Sequence, residues 1–173
     1  MTVRSTSNNR ETILGGIRSS IGVAADAADR RVAIQKRLYD HEAHIIPERA
    51  QRSRDSLLAQ FQEKLEGQSA TVRHVAAAND IPTLLADYLR EHNLPARVRH
   101  GLDDRLEAID WSAAPQVDRL AGPAHPEDAA GLSHAFAGAS ETGTLFLVSG
   151  EANPTTVNFL PETHIVVVRA SDV

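Results

Sequence analysis

Residues 130–168, AGLSHAFAGASETGTLFLVSGEANPTTVNFLPETHIVVV, decide how the chain is read. Two apolar runs, 144–149 and 165–168, predict strands, because short stretches of β-branched and large apolar residues bounded by turn formers are what a buried strand requires. A Glu-Thr-Gly-Thr segment stands immediately before the first run and His164 immediately before the second. In an α/β sheet, polar residues at strand ends sit where ligands bind. The expectation is therefore a hollow at the rim of a parallel sheet, onto which both Glu141 and His164 open.

Working upstream, the rhythm is strand, helix, strand. ATVRHV at 70–75 reads as a strand, and Asp80 caps a helix containing Leu84, Leu85, Tyr88 and Leu89. Residues 96–99 read as a second strand, a helix is expected around 102–109 before Trp111, and 116–120 form a further strand. Alternation of this kind predicts an α/β fold whose sheet is mainly parallel, with right-handed crossovers. The Gly-Pro-Ala-His-Pro stretch at 122–126 then turns the chain into the quoted segment.

The first third carries a different pattern. Asn8 and Glu11 have capping-box spacing, and Ile13, Leu14, Ile17 and Ile21 form one apolar face of a helix ending near Gly22. An Ala-rich segment, 24–39, carries Val32, Ile34, Leu38 and Tyr39 and is read as a second helix on propensity. Pro47 opens a third that runs to Glu66, with Leu57, Leu58, Phe61 and Leu65 on one face and Gly67 as its stop. The organisation expected is an N-terminal helical arm, 1–67, followed by an α/β domain, 68–173. Such narrow apolar stripes need a partner surface.

Composition sets limits on chemistry. Hydrophobic residues make up 42% of the chain but aromatics only 4%, so the core is built from Ala, Val, Leu and Ile. A net charge of −5 gives no global attraction to nucleic acid or an anionic membrane. With no cysteine, the chain itself holds no disulfide, thiolate nucleophile, thiolate zinc site or iron–sulfur cluster. No apolar run approaches the roughly 20 residues that span a bilayer, and MTVRSTSNNRETIL lacks the order of a signal peptide, so a cytoplasmic protein is expected.

Glu141, Thr142, Gly143 and Thr144 are the first candidate site. Small neighbours let the backbone turn tightly, Gly143 tolerates positive φ, and the two threonine hydroxyls can donate to a small anion. Glu141 is open to three chemical roles, as general base, nucleophile or hydroxyl acceptor, and to a structural one, as the carboxylate of an ordinary β-turn. His164 is open to proton exchange near neutral pH and, equally, to a hydrogen bond with a neighbouring carbonyl. Asn153 and Pro154 suit the entry to a short helix that Pro161 ends. His41 and His44 share a helical face, but without an H-E-x-x-H arrangement or a third ligand no metal site is assigned. Arg49, Arg52 and Arg54, interleaved with Glu48 and Asp55, read as a solvated helix face, or as a fork for a carboxylate or phosphate. Walker, G-x-G-x-x-G and Gly-x-Ser-x-Gly patterns are all missing.

ASETGTLFLVSG at 139–150 and LPETHIVVVRASDV at 160–173 resemble the LUD domain of the lactate utilisation protein C family, and NRETILGGIRSSI at 9–21 is similar to that family's first helix. The resemblance implies a fold like that of ribose-5-phosphate isomerase and the CoA transferases, and a cytoplasmic role in bacterial oxidation of L-lactate to pyruvate beside iron–sulfur partner proteins. It marks Glu141, Thr142, Gly143 and Thr144 as the family's characteristic segment and His164 as the residue opening its next strand. Family members continue well past the position of Val173, which implies a sheet here with an exposed edge suited to a homo-oligomer or a complementing partner.

Two further classes of function compete with the lactate reading. One is a stand-alone isomerase- or transferase-type enzyme in which Glu141 acts on a sugar phosphate, folate or acyl-CoA. The other is a non-catalytic assembly protein that grips its partner through the helical arm.

Overall fold

The computed structural model describes residues 6–22, 28–41 and 45–173. The chain divides into two compact units, 1–45 and 46–173. In the first, helix α1 (Thr6–Ile21) closes at Gly22, whose φ of +66° lets its N–H turn back to the carbonyls of Arg18 and Ser19. Asn8 lies inside α1, so the helix starts before the capping box read from sequence. Helix α2 (Ala28–Asp40) buries no residue, and the α1 stripe of Ile13, Ile17 and Ile21 stays half or more exposed.

In the second unit a 3₁₀ turn (Glu48–Ala50) follows Pro47, and helix α3 (Arg54–Glu66) begins at Ser53, whose side chain accepts a hydrogen bond from the Ser56 N–H. The division falls at residue 45, so α3 belongs to the same compact unit as the sheet; the boundary read at Gly67 lies just past the end of this helix. Residues 70–75 form no strand. Their apolar and polar residues alternate, but all except the partly covered Val72 are exposed, and alternation without a buried face leaves nothing to hold a strand in register.

A 3₁₀ turn (Ala78–Asp80) leads into helix α4 (Ile81–Glu91), which buries Pro82, Leu85 and Leu89. Strand β1 (Arg97–His100) follows, then a single-turn helix α5 (Asp104–Glu107) and strand β2 (Asp118–Ala121). Strand β3 (Ala130–His134) is buried along its whole length. Strands β4 (Ala137–Ala139) and β5 (Thr144–Phe146), one-turn helix α6 (Thr156–Phe159) and strand β6 (Thr163–Val167) complete the unit, with a last 3₁₀ turn at Ala170–Asp172.

Four strands make a wholly parallel sheet in the order β2-β1-β3-β6. The expected α/β class with a mainly parallel sheet is therefore present. The run 144–149 takes another place: β5 is three residues long and pairs antiparallel with β4 in a separate hairpin. His164 is likewise inside β6, opposite Gly131, rather than ahead of it.

Because side chains alternate along a strand, register sorts each residue onto one face. Val98, Ala130 and Leu132 join Leu85, Leu89, Leu106, Ile109, Ala114 and Val117 in the apolar core, with Ile165 and Val167 packed against it. The opposite face carries Arg99, Gly131, Ser133 and His164, and α6 lies directly on it: a Cβ on Gly131 would stand 2.3 Å from the Val157 carbonyl oxygen. Glycine is required there by close approach rather than by backbone angle. The first face holds the domain together, and the second holds polar groups.

Candidate functional site

The strand order reverses between β1 and β3, since β2 lies on one side of β1 while β3 and β6 lie on the other. In open α/β sheets, crossovers leaving such a point in opposite directions part above the carboxyl ends of the two strands and leave a crevice. A cleft of about 230 Å³, its open mouth included, sits at this point. Gly101 comes from the end of β1, Ser133 and His134 from the end of β3, and Val157 and Asn158 from α6; Leu147, Val148, Asn153 and Pro154 form the rest of its wall. Nearly all of that volume is open to solvent, and the enclosed space is about 10 Å³, room for a single water-sized group, so a small molecule here would sit largely at the surface. No lysine or arginine lines the cleft.

Two of the lining side chains, Ser133 and Asn158, meet a third polar group, His164, that lies behind Ser133. The Ser133 hydroxyl donates to Asn158 Oδ1 at 2.7 Å, and His164 Nε2 lies 3.1 Å from the same hydroxyl oxygen. With the serine proton spent on Asn158, the imidazole must donate through Nε2–H. Turning the Asn158 amide over reverses the chain: Nδ2 then donates to Ser133, which donates to an unprotonated Nε2. Burial holds the His164 pKa below 6.5, so the ring is neutral at physiological pH and able to take either part.

Two further histidines are buried nearby. His134 Nε2 lies 3.5 Å from an Arg105 nitrogen, and Arg105 pairs with Asp172 at 3.1 Å. Its pKa is lowered by burial first, with Arg105 and Arg169 adding to the effect and Asp103 and Asp172 opposing it. His100 donates from Nδ1 to the Gly101 carbonyl at 2.6 Å; burial lowers its pKa, and that hydrogen bond partly restores it. Gly101 fits only because it lacks a side chain, since a Cβ would stand 2.2 Å from the Ala152 carbonyl oxygen. Beside these, Arg99 grips Asp128 with two hydrogen bonds, 2.8 and 3.3 Å, while the His125 N–H also donates to Asp128. This pairing holds the Asp128 carboxyl below its ordinary pKa.

The segment 141–144 is the turn of the β4–β5 hairpin. Glu141 pairs with Arg49, the hydroxyls of Thr142 and Thr144 are 2.7 Å apart, and Gly143 has a φ of +69°. The turn lies on α3: a Cβ on Gly143 would meet Lys64 Cβ at 2.7 Å, and one on Gly138 would meet the Phe61 ring at 2.8 Å. None of residues 141–144 lines the cleft, nor does His164, which reaches it only through Ser133. The hairpin touches the cleft only through its continuation, since β5 runs directly into Leu147 and Val148 of the wall.

Ser133 and Asn158 were not singled out from sequence. The sole signal was the run AGLSH, whose small residues hide a central strand. His41 lies within the described residues, but Glu42 and His44 of the histidine pair fall outside them. Among the described residues no three His, Asp or Glu side chains gather as a metal site, and no helix is long and apolar enough to cross a membrane.

Neither a curated protein nor a solved structure matches the chain. The model of the LUD domain family matches residues 127–173. That span holds β3, the hairpin, α6 and β6, and with them every cleft residue except Gly101. The match covers residues 127–173 alone, the stretch that contains the runs at 139–150 and 160–173 in which the resemblance was read.

Proposed function

We propose that this chain serves lactate utilisation by holding a small 2-hydroxy or 2-oxo acid in the cleft between β1 and β3. The LUD domain family is associated with lactate utilisation, and the matched residues supply nearly the whole cleft. The observation that carries the reading is the meeting of Ser133, Asn158 and His164 at a strand-order reversal, where the hydroxyl and amide, backed by the imidazole behind Ser133, can exchange hydrogen bonds with a ligand's hydroxyl or keto oxygen. The Asn158 amide nitrogen is the donor offered to its carboxylate, the Asn153 amide nitrogen being turned toward Asp103 Oδ2 at 3.4 Å. Without a cation in the wall, affinity is modest, roughly millimolar.

Glu141, Thr142, Gly143 and Thr144 act in this reading as the brace that fixes the wall at Leu147 and Val148, with Glu141 anchored by Arg49. His164 holds the Ser133 hydroxyl. Electrons from lactate pass to iron–sulfur partner proteins, since a chain without cysteine has no thiolates to hold a cluster. The test is calorimetric titration with L-lactate and pyruvate. Heat with either, lost in Ser133→Ala and Asn158→Ala variants that keep their circular dichroism, is the expected result. A folded protein silent to both acids overturns the proposal.

A further inference from the structure

The parallel sheet has two edges, and they are built differently. At one end β2 is four residues long and carries Asp118 and Arg119, charges that discourage pairing with another chain. At the other end β6 reads Thr-His-Ile-Val-Val, with no proline, glycine, lysine or carboxylate inside it, and its register with β3 is unbroken from Thr163 to Val167. We propose that β6 is a self-complementary docking edge: the β6 strands of two copies of this chain pair antiparallel about a twofold axis at Ile165, joining their sheets into one.

Backbone direction shows what the edge offers. The Thr163 N–H donates to the Ala129 carbonyl and the Ala135 N–H donates to the Val167 carbonyl, so Thr163, Ile165 and Val167 turn their backbone groups toward β3. Residues between them in a strand point the opposite way, which leaves the N–H and C=O of His164 and Val166 facing outward. Among the described residues β3 is the only strand beside β6. With the axis at Ile165, His164 of each copy lies opposite Val166 of the other, and each such pair exchanges both of its backbone hydrogen bonds. In this register every residue of β6 finds a partner, since Thr163 meets Val167 and Ile165 meets its own copy. Apart from His164 the ribbon is wholly β-branched, the kind of side chain that packs well across paired strands.

Charge selects a second copy, and selects the antiparallel direction. Glu162 stands just before β6 and Arg169 just beyond it; both are exposed, and neither forms an ion pair among the described residues. Antiparallel pairing brings Glu162 of one copy to the same end of the ribbon as Arg169 of the other, whereas parallel pairing sets like against like. Phe159 and Leu160, 79% and 46% exposed on the segment leading into β6, add apolar surface. The strand is short, so the dimer is reversible, dissociating in roughly the 10–100 µM range. Neither His164 nor Val166 lines the cleft, and the pairing stands whether or not the cleft binds an acid.

The experiment is sedimentation velocity of the full chain from about 5 to about 500 µM at low salt, with amide hydrogen exchange read residue by residue. The expected result is a monomer–dimer equilibrium in which exchange at the His164 and Val166 N–H groups slows as the dimer fills. Val166→Pro removes an outward N–H but no bond to β3, and proline is tolerated on an edge strand, so this variant keeps its circular dichroism and stays monomeric. Glu162→Arg weakens the dimer by about fivefold, and adding Arg169→Glu restores it to within about twofold of native. The charge swap alters nothing inside the strand, so it decides the matter even if Val166→Pro fails to fold. A chain monomeric throughout, a dimer that survives Val166→Pro, or a double swap that does not recover pairing overturns the inference.

Discussion

Ser133 and His164 touch, hydroxyl oxygen to Nε2 at 3.1 Å, although they lie on different strands and two rungs apart in the β3–β6 register. Replacing Ser133 with Ala strands both of its partners, His164 Nε2 and Asn158 Oδ1. Both partners are only half-buried and water can take over part of the lost bonding, so Ser133→Ala lowers stability by about 1 kcal/mol while leaving the sheet intact. Urea denaturation of the native and variant chains measures it; an unchanged midpoint would mean that the bond contributes nothing.

Arg99 and Asp128 form the most enclosed ion pair among the described residues, with side chains 14% and 3% exposed. Asp128→Ala leaves the guanidinium buried without its partner and costs about 3–5 kcal/mol. The double change Arg99→Met with Asp128→Ala recovers much of that loss, because what hurts is the orphaned charge rather than the missing bond. A double-mutant cycle followed by thermal unfolding checks both statements.

Two buried histidines and the half-buried His164 make the fold acid-sensitive. His100, His134 and His164 all have folded pKa values below the ordinary 6.5, chiefly through burial. Below pH 6.5 the unfolded chain therefore binds protons that the folded chain refuses. Their contribution is complete above about pH 6.5 and is lost as pH falls through the folded values. Asp128, also depressed, adds a second loss below its ordinary value of 3.8. Melting temperatures from pH 8 to pH 4 should fall progressively below pH 6.5, and the His164→Gln chain should fall less steeply.

Gly131 tests the polar face. Alanine there would press on the Val157 carbonyl and on Pro161, so Gly131→Ala lifts α6, costs about 1–3 kcal/mol and draws Asn158 away from Ser133. Gly15→Ala is the contrast, since nothing lies within 4 Å of its added Cβ and the exchange stabilises α1 by about 1 kcal/mol. Chemical denaturation separates the two signs.

Glu141 and Arg49 are 24% and 63% exposed, a pairing close to solvent. Glu141→Gln changes stability by at most about 1 kcal/mol and leaves ligand heat in the cleft within a few-fold of native. Abolished binding would restore Glu141 as a group that meets the ligand itself.

How much of this was legible beforehand depends on where information sits in each segment. Strands β1 and β2 and helix α4 were readable within a residue or two, because each pairs an apolar pattern with a clear start or stop. Strand β3 was not: AGLSH has neither β-branched residues nor alternation, and its small side chains reflect helices pressed on both faces. Residues 70–75 misled in the opposite way, carrying a strand's alternation without a face that becomes buried. Glu141 and His164 were picked by position, but which face each occupies depends on a hairpin and a register that no local pattern encodes. Ser133 and Asn158 meet only once the β3–β6 crossover has laid α6 on the sheet, and neither has a sequence neighbour that hints at the other.

Gly101 and Gly131 have a practical corollary for anyone wishing to reshape the cleft. Both lie with backbone oxygens of the overlying chain at contact distance, so the sheet side offers no room to enlarge or to decorate. Altered selectivity, whether by natural drift or in the laboratory, must come from the roof, through Leu147, Val148, Asn153 and Pro154, whose side chains can change size without dislodging a strand.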